Sequence, residues 1–155
     1  MSIVIRPAGQ ADVPAILEML PRLANFELPD RRHAPHLWEG DAELLQQWAK
    51  EEAQNCFVEV AMDADGTILG ATLTSLREEL LSHEPSAHLE VLVVANGAEG
   101  RGLGKQLMAS AEQQARNRGA GSITLHVFGN NVRARALYQQ LGYEEELLRC
   151  IKHFE

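Results

Sequence analysis

The chain has 155 residues, is 45% hydrophobic, and carries 22 acidic against 14 basic residues, a formal net charge of -8. That size suits one domain with a buried core, and the acidic balance excludes the electrostatic footprint of a duplex nucleic-acid or anionic-membrane binder. A cationic substrate or partner fits better, although solubility alone accounts for such a charge.

In chain order, "SIVIRPA" reads as a short strand closed by Pro7, and its Arg6-Pro7 interruption leaves no signal-peptide core, so a soluble cytoplasmic domain is expected. Asp12 is placed to N-cap a helix with Val13, Ile16, Leu17 and Leu20 on one face, and Pro21 ends or kinks it. The Pro- and His-rich "FELPDRRHAPHLWEG" reads as loop, and Leu44, Leu45, Trp48 and Ala49 after Asp41 as a second helix. His33 and His36 have metal-like spacing, but Pro35 between them argues against a helical ligand pair, and no metal is expected. Trp38 and Trp48 suit the core better than substrate contact. Two strand-like runs flank Asp65-Gly66, a strong hairpin signal, and "AHLEVLVVA" is a further strand.

After the glycines of "EGRGLGKQL" comes a helix with Leu103, Leu107, Met108 and Ala111 on one face and Gly119 as its C-cap. "SITLHVF" reads as strand, "NNVRARALYQQLG" as a helix ended by Gly142, and "YEEELLRCIKHF" as a last strand whose Glu144 to Glu146 are solvated. Cys56 and Cys150 show neither pairing nor metal-ligand spacing and are expected reduced and buried. The order predicts an α/β domain (α+β type) with a mixed sheet of about six strands flanked by helices.

Gly100, Gly102 and Gly104 lie at a strand-to-helix junction, where bare main-chain amides and a helix N-terminus together favour an anion. Arg101 and Lys105 add positive charge. A nucleoside-triphosphate loop is ruled out because Glu99 stands five residues before Gly104 and Gln106 follows Lys105; the dinucleotide spacing also fails. A plain connecting turn remains the competing reading.

The segment "NNVRARALYQQLGY" decides between these. Asn131, Ala134, Leu137, Tyr138, Gly142 and Tyr143, taken with "LEVLVVANGAEGRGLGKQL", resemble the GNAT superfamily of acetyl-coenzyme A-dependent N-acetyltransferases, closely from Leu89 to Tyr143. The resemblance implies a mostly antiparallel sheet of six to seven strands, splayed between the fourth and fifth, with about four helices. It implies that acetyl-CoA, a co-substrate, lays its pyrophosphate on Gly100, Arg101, Gly102, Leu103, Gly104 and Lys105. Its pantetheine arm would pair with Leu92, Val93 and Val94, Asn131 and Ala134 would meet the arm, and Tyr138 would stand near the thioester sulfur. Glu99 departs from the family's Gln or Arg; it is expected to turn to solvent or to Arg101, and because the backbone amides are untouched cofactor binding is expected to survive in weakened form.

Acyl transfer to an amine also sets its own requirements. An alkyl amine with pKa about 10.4 is roughly one part in a thousand neutral at pH 7, a handicap of about 4 to 5 kcal/mol that a nearby base removes. Strand alternation puts His88, Glu90, Leu92 and Val94 on one face and Leu89, Val91 and Val93 on the other. Glu90, a carboxylate in an apolar strand whose setting could raise its pKa, is the candidate base, with His88 or His126 as alternatives. Solvent exposure or a pair with His88 is its bland reading, as core packing is for Tyr138, the candidate acid. A free N–H near Val93 or Val94 would meet the oxyanion. The expected reaction is direct transfer in a ternary complex to a primary amine, of a small cationic metabolite. A non-catalytic acyl-CoA-binding module and a protein N-terminal or lysine acetyltransferase are the alternatives. Relatives often dimerise, so a homodimer stays open.

Overall fold

The apolar runs become five strands lying side by side in chain order: β1 (Val4–Pro7), β2 (Cys56–Met62), β3 (Ile68–Glu78), β4 (Pro85–Val94) and β5 (Ile123–Leu125). The computed structural model describes residues 2–155. β1 to β4 pair antiparallel, and β5 joins β4 in parallel. Among the described residues four helices flank the sheet, α1 (Val13–Met19), α2 (Glu39–Ala49), α3 (Leu103–Asn117) and α4 (Val132–Gln140).

The expected mixed sheet and four helices are present, with five strands in place of six to seven. Residues 144–155 are exposed and form no strand. A strand needs a hydrogen-bonded neighbour, and Glu145 is instead drawn back to α4 by Arg135 (2.8 and 2.9 Å) and Gln139 (3.2 Å). Cys150 lies in this segment and is exposed, against expectation, while Cys56 is buried.

Side-chain alternation divides the sheet's faces between two helical layers. Val58, Val60, Ala71, Leu73, Val91 and Val93 pack with Ile16, Leu20 and Leu45 of the α1 and α2 side; Trp38 and Trp48 lean on the same cluster. On the other face, Ala61 and Leu69 meet Leu103 and Leu107 of α3. Burying each such leucine stabilises the fold by about 1.5 to 3 kcal/mol. Ser110 on α3 donates to both oxygens of buried Glu59 on β2, 2.9 Å each.

Local signals act largely as expected. Asp63 Oδ1 accepts from the N–H groups of Asp65 (2.9 Å) and Thr67 (3.0 Å), and Gly66 at φ +83° closes the β2–β3 hairpin. Asp12 differs: it precedes α1 in a helical conformation and makes no cap bond there. Its carboxylate accepts from Gly9 N–H (2.8 Å) and from Arg6 (2.8 and 2.9 Å), and Arg6 holds it below the usual carboxylate range. α1 ends at Met19, and Pro21 sits in a tight turn, Leu20–Ala24, that carries Arg22 to the end of β4.

Two irregularities shape the site. β5 pairs with β4 only at Ala87, His88 and Leu89, so the remainder of β4 to Val94 splays away from it. In the β3–β4 register Leu73 opposes Val91 while Thr74 opposes Leu89, leaving Glu90 as the extra residue of a β-bulge. The bulge breaks the expected alternation. Glu90 shares a face with Val91 and Val93, whereas Leu92 and Val94 pack toward α3.

Candidate active site

The splay opens a cleft of about 430 Å³. Its floor is the free edge of β4, one end is the glycine loop leading into α3, and one wall is the chain from Leu125 to Phe128 with α4. The loop after α1 closes the opposite side: Phe26 stacks on Phe128 with centroids 5.7 Å apart, and Asn130 donates to Glu27 O at 3.2 Å. Every residue expected at the site lines this cleft except Arg101, which is exposed, and the alternative base His88, which lies behind Glu90.

At the glycine end, Gly100 (φ +79°) and Gly102 (φ +75°) take left-handed backbone that other residues rarely adopt, and Gly102 caps α3. Gln106 N–H is the first to bond into the helix, to Gly102 O at 3.1 Å. The N–H groups of Leu103, Gly104 and Lys105 therefore have no helical partner and stand at the positive end of a 15-residue helix. A Cβ on Gly104 would come 3.3 Å from Leu137, which packs this turn against α4. Unpaired amides, the helix dipole and Lys105 together fit a diphosphate.

Glu99 turns neither to solvent nor to Arg101. It is ion-paired with Arg22, and its second oxygen accepts from Gly97 N–H at 3.2 Å. Arg22 Nε also donates to Val94 O at 2.7 Å, tying the end of β4 to the loop. Nothing in the sequence near Pro21 marks Arg22 as a site residue, since its partners lie more than 70 positions away. The Glu99 carboxylate is thus already neutralised where a phosphate would approach. Glu99→Gln keeps one acceptor oxygen for Arg22, gives up the bond from Gly97 N–H and frees the Arg22 charge, so coenzyme A is expected to bind about tenfold more tightly; Arg22→Ala leaves the carboxylate unpaired and should weaken binding about tenfold or more, both read by titration calorimetry.

Glu90 lies midway along the cleft. Arg77 donates to its Oε1 at 2.7 Å, Ser75 Oγ lies 3.5 Å away and His88 Nε2 3.7 Å. Its setting is therefore not purely apolar, and Oε2 accepts no hydrogen bond from any described residue. His88 lies behind it, with Nδ1 2.7 Å from Thr124 Oγ1; burial, Arg77 and His126 push its pKa down to about 4, so it stays neutral and does not line the cleft. His126 does line it, edge-on to His88 at 4.8 Å. The sequence reading missed Asp41, on the first turn of α2, which faces the same space. Burial first and the Glu90 charge second raise its pKa to about 7. Asp41 served only as a helix marker in the sequence, because nothing local shows which way that turn points.

Tyr138 completes the wall on α4. Burial raises its pKa to about 12, it packs edge-on against Tyr143 at 5.7 Å, and its hydroxyl meets no hydrogen-bond partner among the described residues. Asn131 Oδ1 caps α4 by accepting from Ala134 N–H at 3.2 Å, leaving its amide NH₂ free. His33 and His36 form a local contact, His33 N–H donating to His36 Nδ1 at 3.2 Å.

The sequence model of the Acetyltransferase (GNAT) family matches residues 17–143. The chain belongs to the GNAT family. This GNAT chain is 37% identical over 81 residues to the mycothiol acetyltransferase of Beutenbergia cavernae, covering 52% of this chain and 26% of that protein. It thus spans about a quarter of the length of that relative. The uncharacterized N-acetyltransferase YhfO of Bacillus subtilis is 29% identical over 142 residues, covering 92% of this chain and 90% of YhfO. Among solved structures, the fold resembles AAC(6')-Iy in complex with the bisubstrate analog CoA-S-monomethyl-acetylneamine, with TM-score 0.71, 25% identity and coverage of 100% and 99%. A putative acetyl transferase from Pyrococcus furiosus shares the fold at TM-score 0.80 and 22% identity, covering 99% of this chain and all of that one.

Proposed function

We propose that this GNAT chain is an N-acetyltransferase that moves the acetyl group of acetyl-CoA directly to the primary amine of a small cationic acceptor. The observation that carries the reading is one cleft in which the amide-rich loop, the bulged Glu90 and the unpartnered Tyr138 hydroxyl all face the same space. The mycothiol acetyltransferase relative supports a small acceptor.

Acetyl-CoA supplies an activated acyl group as its thioester. Gly100 to Lys105 hold its pyrophosphate, Leu92 to Val94 offer main-chain pairing to the pantetheine, and the NH₂ of Asn131 beside Ala134 borders that arm. Glu90 Oε2 takes one proton from the bound ammonium, whose nitrogen then attacks the carbonyl; a new C–N bond forms, the C–S bond breaks, and the second proton shed by the nitrogen passes to the departing sulfur, which leaves as the free thiol. An N–H near Val93 or Val94 receives the developing oxyanion. Asp41 supplies a second negative position for the cationic acceptor. A phenol with pKa about 12 is a weaker acid than a thiol near 8.5, so Tyr138 stabilises the departing sulfur as a hydrogen-bond donor that stays protonated throughout the working range.

A panel of amines and amino acids, followed by release of free thiol from acetyl-CoA, tests the activity. Tyr138→Phe is expected to lower kcat about 10- to 100-fold while the coenzyme A dissociation constant stays within about twofold. Tight coenzyme A binding with no acetylation across the panel would instead favour the regulatory binding module.

A further inference from the structure

Arg77, near the end of β3, lies outside the cleft yet holds a carboxylate inside it. Its side chain is 48% exposed and that of Glu90 15%, so the pair spans the boundary between solvent and cleft. Glu90 has no residue opposite it in the β3–β4 ladder, and the ladder therefore does not fix where its side chain points. Neighbouring side chains do. One nitrogen of Arg77, Nη2, donates both to Glu90 Oε1 at 2.7 Å and to Ser75 Oγ at 3.1 Å, and the Ser75 hydroxyl donates to the same Oε1 at 3.5 Å. His88, the third neighbour, gives no help. Thr124 Oγ1 donates to Ala87 O at 3.4 Å and so accepts from His88 Nδ1–H, and the neutral ring then turns a bare Nε2 lone pair toward Oε1 at 3.7 Å. Arg77 is therefore the one cation held against Glu90 among the described residues.

We infer that Arg77 is a positioning residue of the transfer: with Ser75 it clamps Oε1 of Glu90 from behind, so that Oε2 is the oxygen presented to the incoming ammonium. The inference rests on Glu90 as the proton acceptor proposed above. A carboxylate with both oxygens loose turns about its last bonds, and a misplacement of about 1 Å at a reacting group costs on the order of 100-fold in rate. A charge-assisted bond of 2.7 Å restrains that motion more firmly than a neutral one. Arg77 does this without lining the cleft, so it meets neither the acceptor nor coenzyme A. Its removal should act on turnover and leave the binding of both substrates in place.

Steady-state kinetics of the full chain with an amine from the acceptor panel test this. Arg77→Ala is expected to lower kcat about 30-fold, while the acceptor KM and the coenzyme A dissociation constant stay within about threefold. Because both bonds leave from one nitrogen, the ammonium of Arg77→Lys should keep kcat within about fivefold of the parent. The exposed half of the site lets a free cation enter the gap, so millimolar guanidinium chloride should raise kcat of Arg77→Ala about tenfold and saturably, where sodium chloride has no effect. In a Glu90→Gln background Arg77→Ala should cost less than about twofold more, since its effect passes through the carboxylate. An unchanged kcat in Arg77→Ala, a loss confined to KM or to coenzyme A binding, no response to guanidinium, or an equal further loss in the Glu90→Gln background would each overturn the inference. A full rate in Glu90→Gln alone would remove the proton acceptor and the inference with it, whereas a slow Glu90→Gln beside a fast Arg77→Ala sinks the inference alone.

Discussion

Glu90→Gln is expected to lower kcat/KM about 100- to 1000-fold at pH 7, measured with an amine found in the acceptor panel, while coenzyme A affinity stays within about twofold. Glutamine keeps the shape and still accepts from Arg77 through its amide oxygen, so the ion pair at 2.7 Å becomes an ordinary hydrogen bond and the bulge persists. What disappears is the proton acceptor. The acceptor must then arrive already neutral, and only roughly one alkyl amine in a thousand is so at pH 7. The defect should therefore shrink about tenfold for each pH unit gained, until the amine itself titrates near pH 10. A defect that stays constant with pH would mean that Glu90 positions Arg77 and Ser75 and takes no proton.

Asp41→Asn is expected to do two opposed things. The raised pKa, about 7 against an ordinary 3.8, means that the folded state prefers the protonated carboxyl. Between pH 4 and 7 the unfolded chain gives up this proton while the folded chain keeps it, so Asp41 costs stability progressively as pH rises through that window, with the full penalty above 7. Three pH units would correspond to about 4 kcal/mol, and partial solvent exposure reduces this to about 1 to 2. The variant should thus unfold at a higher temperature than the parent at pH 8 and at an unchanged temperature near pH 4. Its KM for a cationic amine should rise about tenfold at pH 8, since one of two carboxylates facing the acceptor is gone. In the parent that KM should fall as pH rises from 6 to 8 and Asp41 ionises; in Asp41→Asn the trend should vanish. A KM unaffected by the substitution would place Asp41 outside acceptor binding.

These two residues differ in how they could be read. Glu90 stands out in the sequence because one carboxylate interrupts an apolar strand, and a strand's side-chain period is short enough to predict from neighbours. Simple alternation nevertheless fails from Glu90 onward, because the extra residue of a bulge depends on the register with Leu73 and Thr74 across the sheet. Asp41 offers no such contrast. It follows Glu39 and Gly40 at a helix start where acids are common, and only the packing of α2 beside β4 turns it toward the cleft.

Local chemistry determined a good deal by itself. The hairpin at Asp65-Gly66, the apolar stripe of α3, the Pro21 break and the glycine loop with its free amides each follow from backbone freedom or side-chain spacing within a few residues. Tertiary structure alone decided the Arg22–Glu99 pair, the capture of Glu90 by Arg77 and the place of Asp41, because these join charges on different elements, through the register of paired strands or the packing of segments distant in the chain. It also left residues 144–155 unpaired although their pattern reads as a strand. A strand is completed by its neighbour's hydrogen bonds, and a sequence carries only one side of that pairing.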